Sequence, residues 1–469
     1  MSVKHEAEAS MDSTYRNPEL RDCIESYVRA AIDLIAEGKG TKYPYDDWSA
    51  APEFPFIFSK TELKELPAYR HCLESLQADE IIIHQLNNMV GINSRRSRTS
   101  DVEGLMVRLP HLGVYRNRIR FNEEHFETEY AAFESAFYED SFVYEAIAPL
   151  QGPVFAESIK LESEVEICRL NQFDLSPLTK NDMDEDSIIF GNALWAIKTQ
   201  YRIPKVIGDE VPIETDKTKE DESRRDQAND VLDRVLACLR LLGVPNAYPQ
   251  VLLHRTKSWL FHDVREYSTR HRPSTQFSWE LDADFTRTCT EFWAKLQSQI
   301  VQRHHLIIQA IKRFNYAHER HDWEDKIVDL LIAAEAIFLS QSGGSGELSY
   351  RLKLNAAMFL ASDARSRKQV FDDMDRAYSL RSKIVHGADY TEIKKEIEKK
   401  EAVGLGEEYK FDQFIFRIQG YIQTAIHRMI DIASTTSKGD MLVKWNSLIL
   451  GNPEDQSDAP EVNVGEHNR

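Results

Sequence analysis

The stretch from Ser366 to Tyr390, SRKQVFDDMDRAYSLRSKIVHGADY, constrains the fold most, because its apolar residues recur at helical spacing. These residues predict a helix with one buried face. The stripe consists of Val370, Phe371, Met374, Tyr378, Ile384 and Val385. Gly387 follows the predicted helix directly, and glycine can end a helix in the left-handed conformation without a Cβ clash. Arg381 and His386 therefore stand together where the helix ends.

Arg381 and His386 are the residue types that cleavage of RNA through its 2′-hydroxyl would use. RNA carries this nucleophile itself, and histidine suits the proton transfers because its ordinary pKa is about 6.5. The planar guanidinium of arginine can donate two parallel hydrogen bonds to a charged phosphorane. A five-residue offset separates the two side chains by roughly 140° around an ideal helix. The pair therefore needs a break near His386, which Gly387 would permit, or a second copy of the helix in a two-fold dimer.

The spacing by itself is weak evidence. With 15 histidines in the chain, an arginine five residues before a histidine should occur about once by chance. Arg313 and His318 repeat the offset, but no glycine follows them, and we interpret that second pair as part of a helix surface. His318 and His321 share a helical face without nearby ligating groups, which favours ordinary surface or interface histidines. A catalytic role for His386 and a simple capping role both remain open at this point.

The segment from Asp322 to Tyr390 carries three sequence blocks in order. The first is an apolar run around Glu335, LIAAEAIFL, and the second is a Tyr-basic-Leu helix start at Tyr350 and Arg351. The third has the pattern Tyr-x2-Arg-Ser-x3-His-Gly. Its members are Tyr378, Arg381, Ser382, His386 and Gly387. With these blocks the chain resembles the Apea-like branch of the HEPN family over residues 322–447.

The resemblance implies an all-α bundle that forms a homodimer, in which the Arg and His of two protomers line a shared cleft. Many HEPN members are endoribonucleases that need no metal or other cofactor, and members of this branch occur in bacterial anti-phage and abortive-infection proteins. We therefore expect Arg381 and His386 to be catalytic, with RNA as the substrate and 2′,3′-cyclic phosphate ends on the product. Some relatives are inactive, so a non-catalytic dimerisation module that binds RNA or a protein is the alternative.

Residues beside the pair receive supporting roles in this interpretation. Lys383 and Arg351 are expected to contact RNA. The expected structural supports are Glu335, Tyr378, Ser382 and Gly387. The net charge of −19 counts against a protein that coats nucleic acid through diffuse positive charge, but it permits a local basic site. A solvated charged face is an equally weighted alternative. The basic residues in question are Arg351, Lys353, Arg365, Arg367, Lys368, Arg381 and Lys383.

Composition indicates a cytoplasmic protein of several domains. A chain of 469 residues is long enough for two or three domains. It contains no apolar run long enough to span a membrane, and its polar N-terminus lacks the apolar core of a secretory signal. The 5 cysteines are scattered, which fits a reducing compartment without a disulfide framework.

The predicted fold class is α+β with several domains. Residues 1–140 are expected to be mainly helical or mixed, and residues 141–275 to form a small α+β domain with strand-like alternation. Residues 276–450 are expected to form the all-α HEPN domain, and residues 451–469 a disordered tail. The region before the HEPN domain shows no motif, and we expect it to regulate the enzyme, with a phage-derived molecule as a possible trigger.

Local sequence patterns predict the structure of four short segments. A helix is expected over residues 18–38, from apolar spacing. The basic run Arg95–Ser100 is expected to be an exposed loop. Residues 209–226 are so highly charged that a flexible loop is expected, and a helix is expected over residues 227–243 from the spacing of its apolar side chains.

Overall fold

The computed structural model describes only part of the chain. The described residues are 15–36, 60–98, 101–114, 120–170, 195–208, 216–244, 247–249, 251–268, 279–320, 322–339, 347–387, 407–436 and 443–450. The predicted disordered tail at residues 451–469, the first part of the predicted loop at residues 209–215, and His321 lie outside the described residues.

The protein divides into two compact units that alternate along the chain. The sheet unit falls within Met1–Leu150, Glu162–Leu232 and Pro249–Thr269. The helical unit falls within Gln151–Leu161, Asp233–Tyr248 and Arg270–Arg469. Most strands lie in the first unit and the second is mainly helical, so the fold class is α+β, as predicted. The predicted middle segment, residues 141–275, contributes to both units.

Helices dominate the first part of the sheet unit. They are α1 (Pro18–Ala36), α2 (Lys60–Lys64), α3 (Pro67–Ala78), α4 (Glu80–Asn87), α5 (Val102–Arg108), a 3₁₀ helix (Leu109–Gly113) and α6 (Glu123–Tyr138). Helix α1 confirms the helix predicted over residues 18–38. Its residues Ile24 and Val28 are completely buried in the core, where they pack with aromatic side chains of α6 such as Phe126 and Phe133.

The strands build one large and one small antiparallel sheet in the sheet unit. In chain order they are β1 (Met89–Ile92), β2 (Arg95–Arg98), β3 (Ser141–Gln151), β4 (Pro153–Phe155), β5 (Ile159–Lys160), β6 (Val165–Arg169), β7 (Trp195–Pro204), β8 (Val206–Ile207), β9 (Tyr248–Pro249), β10 (Val251–Lys257), β11 (His262–Ser268) and β12 (Trp279–Leu281). The large sheet includes the order β11-β10-β3-β7-β6, and the small sheet has the order β2-β1-β8. In the helical unit, β4 and β12 pair in parallel.

The expectation of an exposed loop at Arg95–Ser100 is confirmed in exposure for most of its first four residues, but these residues form the edge strand β2 and not a loop. A two-residue turn at Asn93 and Ser94 brings β2 back antiparallel to β1. Gly91 permits the close approach of the two strands, because a Cβ there would lie 2.2 Å from the carbonyl oxygen of Arg95. The local hairpin geometry therefore overrides the polar composition of the run.

The expectation of a flexible loop at residues 209–226 is wrong from residue 216 onward, where helix α7 (Asp216–Leu241) begins. The charged residues support the helix in two ways. Glu220 and Arg224, one turn apart, form an ion pair of 2.8 Å on the outer face. Asp221 is completely buried and belongs to the inner face. Helix α7 thus starts well before the helix predicted from apolar spacing.

The helical unit consists of a succession of packed helices. They are α8 (Ala283–Gln297), α9 (Gln299–Gln302), α10 (His305–Glu319), α11 (Trp323–Phe338), α12 (Leu348–Leu360), α13 (Ala364–Val385), α14 (Glu407–Thr435) and α15 (Trp445–Leu450). Helices α10 and α11 pack as neighbours, as do α12 and α13, and α14 contacts all four of them. In the described part of the chain, none of the helices combines the length and apolar character needed to cross a bilayer.

A completely buried carboxylate, Asp373, joins helix α13 to helix α14. It accepts hydrogen bonds from Gln369 (2.9 Å) and Arg376 on its own helix. From α14 it accepts hydrogen bonds from Arg417 (3.2 and 3.3 Å) and from the hydroxyl of Tyr421 (3.0 Å). Burial alone would raise the pKa of Asp373, but the hydrogen bonds from Arg417 and Gln369 and the arginine charges lower it below its ordinary value. The carboxylate therefore stays ionised inside the unit.

The expectation that Arg313 and His318 form a helix surface is wrong for His318, which is only 4% exposed. Its Nδ1–H donates to the carbonyl oxygen of Phe314 (2.9 Å), and its Nε2 accepts from the amide of Gln419 (2.8 Å). Because α14 contributes Gln419, this face of α10 is covered. Burial, followed by the charge of Arg240, lowers the pKa of His318 to about 3.

Replacing Asp373 by Asn should lower the free energy of unfolding by about 3–5 kcal/mol, because Arg376 and Arg417 would lose their buried counter-charge. Asp372→Asn is the matched control. Asp372 is half-exposed and forms an ion pair only with Lys368, so its loss should cost less than about 1 kcal/mol. Urea denaturation of both variants gives the comparison, and similar losses for both would show that the Asp373 network does not stabilise the unit.

His318 should make the protein less stable in mild acid. The folded state keeps His318 neutral down to a pKa of about 3, whereas the unfolded chain binds a proton below about pH 6.5. The unfolded state thus binds more protons between these values, and stability falls as pH falls. The loss from pH 7 to pH 5 should be about 2 kcal/mol.

His318→Gln removes this titration and should reduce the pH dependence of the free energy of unfolding by that amount. His305→Gln, at an exposed position, should leave the dependence unchanged. Urea titrations at both pH values provide the measurement, and parallel behaviour of wild type and His318→Gln would refute the prediction.

Candidate functional site

The end of helix α13 has the geometry that the sequence predicts. The helix begins at Asp363, whose side chain accepts hydrogen bonds from two backbone N–H groups, and it continues to His386 at its C-terminal cap. The N–H of His386 donates to the carbonyl oxygen of Ser382 (3.1 Å), and that of Gly387 donates to Ile384 (3.0 Å). Gly387 has a φ of 74°. The left-handed glycine that was predicted to end the helix is therefore confirmed.

The predicted apolar face of α13 is confirmed in its first part and wrong at its end. Val370 and Met374 are buried, and so is Leu380. Val385, by contrast, is 66% exposed. The remaining members Phe371, Tyr378 and Ile384 are half-buried. The reason for the difference is length, because α13 continues for more than one turn after its last fully buried residue.

Arg381 is held by an ion pair between α13 and α11. Its Nη1 donates to Oε1 of Glu335 at 2.8 Å, and 29% of the Arg381 side chain and 27% of the Glu335 side chain are exposed. Its Cζ lies 5.9 Å from the centroid of the Tyr378 ring. Its Nε is buried and donates no hydrogen bond to the described residues. Glu335 thus orients the guanidinium through Nη1.

The surroundings of Glu335 also affect its own ionisation. Burial raises the pKa of Glu335 above its ordinary value, and the charge of Arg381 opposes this shift only in part. The ion pair is therefore held in a partly desolvated place, where electrostatic interactions are stronger than in water. Glu335, predicted as a structural support without a stated partner, contacts Arg381 directly.

His386 lies at the exposed tip of the helix. Within the described residues its imidazole has no hydrogen bond or ion pair, and none joins it to Arg381. The unbroken helix explains this separation, because the five-residue offset directs the two side chains roughly 140° apart. A single copy of the chain presents the two residues on different sides of one helix end.

The predicted basic site is partly neutralised by neighbouring carboxylates. Lys353 of α12 forms an ion pair with Asp375 of α13. Lys368 forms one with Asp372 (2.8 Å). Arg367 is also engaged, because its Nε donates to the carbonyl oxygen at the end of α12 (3.0 Å). Lys353, Lys368 and Arg367 therefore correspond to the alternative interpretation, a charged helix surface.

The other predicted site residues have more exposed positions. Lys383 and Tyr378 are half-buried on α13, and Ser382 is exposed. Arg351 is half-buried on α12, next to Tyr350, which is 50% exposed. Among the described residues, no group of three or more His, Cys, Asp or Glu side chains is arranged to hold a metal ion.

Sequence reasoning missed the residues that fix the rotation of α13. The run FDDMDR shows several acidic residues, but nothing in it distinguishes buried Asp373 from exposed Asp372. Arg417 and Tyr421 lie one turn apart in α14, and this spacing was the only available signal. It becomes informative only when α14 is placed beside α13.

Gly387 can be tested against a second glycine in an equally open place. A Cβ on Gly387 or on Gly420 of α14 would meet no atom within 4 Å. Gly387→Ala should nevertheless destabilise the protein by about 1 kcal/mol, because its left-handed backbone disfavours a Cβ. Gly420→Ala should stabilise it by about 0.5–1 kcal/mol, because alanine favours a helix. Thermal or urea unfolding measures the change in stability of each variant. Changes of the same sign in both variants would contradict a left-handed helix cap at Gly387.

Comparison with known proteins adds no relative. The chain matches no protein-family model, no curated protein and no solved structure.

Proposed function

We propose that the protein is a metal-independent endoribonuclease of the Apea-like HEPN type that acts in the cytoplasm. The observation that carries the proposal is the end of α13, where Glu335 holds Arg381 (2.8 Å) and His386 is exposed beside the helix stop. The oriented cation and the accessible imidazole supply the electrostatic and proton-transfer groups of RNA cleavage.

In the proposed reaction, His386 removes the proton from a ribose 2′-hydroxyl, and the oxygen attacks the adjacent phosphorus. Arg381 stabilises the negative charge of the phosphorane. The bond from phosphorus to the 5′-oxygen then breaks, and the leaving oxygen receives a proton from a histidine. The products are a 2′,3′-cyclic phosphate and a 5′-hydroxyl, so that no water or oxidant is consumed.

A homodimer is part of the proposal, because Arg381 and His386 are not joined within one chain. A two-fold axis beside the end of α13 would bring two copies of each residue to one cleft. The exposed apolar side chain of Val385 supports an interface at this place, since apolar groups at the centre of an interface are covered by the partner. Lys383 and Arg351 would contact the RNA backbone.

The proposed biological role is bacterial defence against phage by cleavage of cellular RNA. Residues 1–275 would regulate the activity, with a phage-derived molecule as the trigger. This part of the proposal rests on the resemblance of the three sequence blocks and on the length of the chain before them.

The second candidate is a non-catalytic module that dimerises or binds RNA or a protein. The observation in its favour is the neutralisation of Lys353 and Lys368 by carboxylates on α13. In that case His386 would only end the helix, and the protein would bind its partner without cleaving it.

Cleavage of a labelled RNA, in buffer containing a chelator, should depend on both site residues. His386→Ala should lower the rate about 10²- to 10⁴-fold, and Arg381→Ala about 10²- to 10³-fold. Arg303→Ala and His305→Ala change the same residue types at exposed positions of the helical unit and should keep the wild-type rate. Thermal unfolding checks that each variant is folded, and analytical ultracentrifugation measures the dimer.

The same experiment separates the two candidates. Equal cleavage by wild type, His386→Ala and Arg381→Ala would reject the catalytic assignment. Binding of RNA without cleavage by a dimeric wild type, under conditions that include phage lysate as the trigger, would favour the binding module.

A further inference from the structure

A thiol at the edge of the core of the sheet unit lies against a histidine. Cys23, in helix α1, is 9% exposed, and its Sγ lies 3.1 Å from Nε2 of His71 in helix α3. The hydroxyl oxygen of Ser75 lies 3.4 Å from the same sulfur and 3.0 Å from the carbonyl oxygen of His71. His71 and Ser75 are one turn apart, so one face of α3 brings both polar groups to Cys23. The sulfur therefore has a proton acceptor and a hydrogen-bond donor within reach.

The position of His71 makes its ring suitable for proton transfer. His71 is exposed, and among the described residues the sulfur of Cys23 is the only hydrogen-bond partner of its imidazole. A neutral Nε2 accepts the S–H proton, and after the transfer the N–H donates to the thiolate. Because the residue is in contact with water, the imidazole can exchange this proton with the solvent.

The other four cysteines differ from Cys23 in their surroundings, although all 5 carry free thiols. Cys72 of α3 is completely buried. Burial, followed by the influence of nearby Cys23, raises the pKa of Cys72, so this thiol stays protonated and unreactive. Cys238 and Cys289 of the helical unit are also completely buried. Cys168, in strand β6, is 9% exposed and therefore matches Cys23 in exposure.

We propose that Cys23 is a reactive thiol that small hydroperoxides oxidise, with His71 as its partner in proton transfer. A cysteine attacks as the thiolate, and a base within hydrogen-bond distance promotes this attack by taking the proton. The contact of 3.1 Å between Sγ and Nε2 meets this condition. Hydrogen peroxide is scarcely larger than water, so it can approach a sulfur at the edge of the core.

In the proposed step, the sulfur of Cys23 attacks one oxygen of the peroxide while His71 takes the thiol proton. The S–O bond forms and the O–O bond breaks, so the sulfur is oxidised to a sulfenic acid and the peroxide is reduced. The leaving hydroxide receives the proton from the His71 imidazolium and departs as water. One thiol and one hydrogen peroxide thus give one sulfenic acid and one water, without a further reactant.

This modification site is separate from the proposed ribonuclease residues and does not depend on their activity. Cys23, His71 and Ser75 belong to the sheet unit, whereas Arg381 and His386 belong to the helical unit. The modification is therefore measured on the full-length protein without RNA.

A time course of the reduced full-length protein with hydrogen peroxide at neutral pH measures the proposed oxidation. Dimedone traps a sulfenic acid, and mass spectrometry of the peptides gives the position of each adduct and its rate of formation. Cys23 should react at least about tenfold faster than Cys168, because exposure is equal and the neighbouring base promotes the attack. Cys23→Ser should remove the adduct from this peptide.

His71→Ala should slow the oxidation of Cys23 by about tenfold or more, because the proton acceptor is lost. His71→Gln should slow it similarly, since an amide can form a hydrogen bond to the sulfur but cannot take its proton. His84→Ala is the matched control. It changes an exposed histidine of helix α4 in the same unit and should keep the wild-type rate.

Iodoacetamide, as a second reagent, separates proton transfer from simple access to the sulfur. Its leaving group is iodide, which needs no proton, whereas the hydroxide that leaves hydrogen peroxide does. The His71 variants should therefore slow the oxidation of Cys23 by a larger factor than they slow its alkylation. A purely structural change in access would alter both rates by the same factor.

Three results would overturn the proposal. The first is oxidation of Cys168 as fast as that of Cys23, and the second is an unchanged rate at Cys23 in both His71 variants. The third is equal slowing of oxidation and alkylation, which would leave His71 without a role in proton transfer. Thermal unfolding checks that each variant is folded, and His71→Gln carries the comparison if His71→Ala does not fold.

Discussion

The buried carboxylate of Asp373 is the interaction on which the geometry of the candidate site depends. An ionised group at this depth is tolerated only because Arg376, Arg417 and Tyr421 all donate to it. These bonds fix the rotation of α13 against α14. Once that rotation is fixed, the position of every later residue on α13 follows from helical geometry, because each residue turns the chain by about 100°.

The rotation of α13 separates the two candidate catalytic residues. Arg381 comes eight residues after Asp373, which places it roughly 80° from the buried side, so it can reach Glu335 on α11. His386 comes thirteen residues after Asp373 and lies on the far side, where it is exposed. One copy therefore offers an oriented cation and an accessible imidazole on different sides of a helix end. For this reason the proposed ribonuclease chemistry requires the cleft of a dimer.

The two units treat buried charge in opposite ways. In the helical unit, Asp373 has more donors than it needs, and the network holds two helices together. In the sheet unit, Arg225 has no acceptor among the described residues, although the polar side chains around it are well connected. The first arrangement stabilises a fold. The second leaves a buried guanidinium whose Nε and Nη2 donate no hydrogen bond to the described residues.

Local signals in the sequence determined helix α1, the glycine stop at Gly387 and the α+β class, because spacing and backbone conformation depend on near neighbours. They gave wrong results for β2, for the start of α7 and for His318. In each of these cases polar side chains are ordered by partners distant in the chain, as Asp221 is by Asn93. Tertiary structure alone decided which charges are buried and that Arg381 faces Glu335, because these outcomes depend on how separate helices and strands meet.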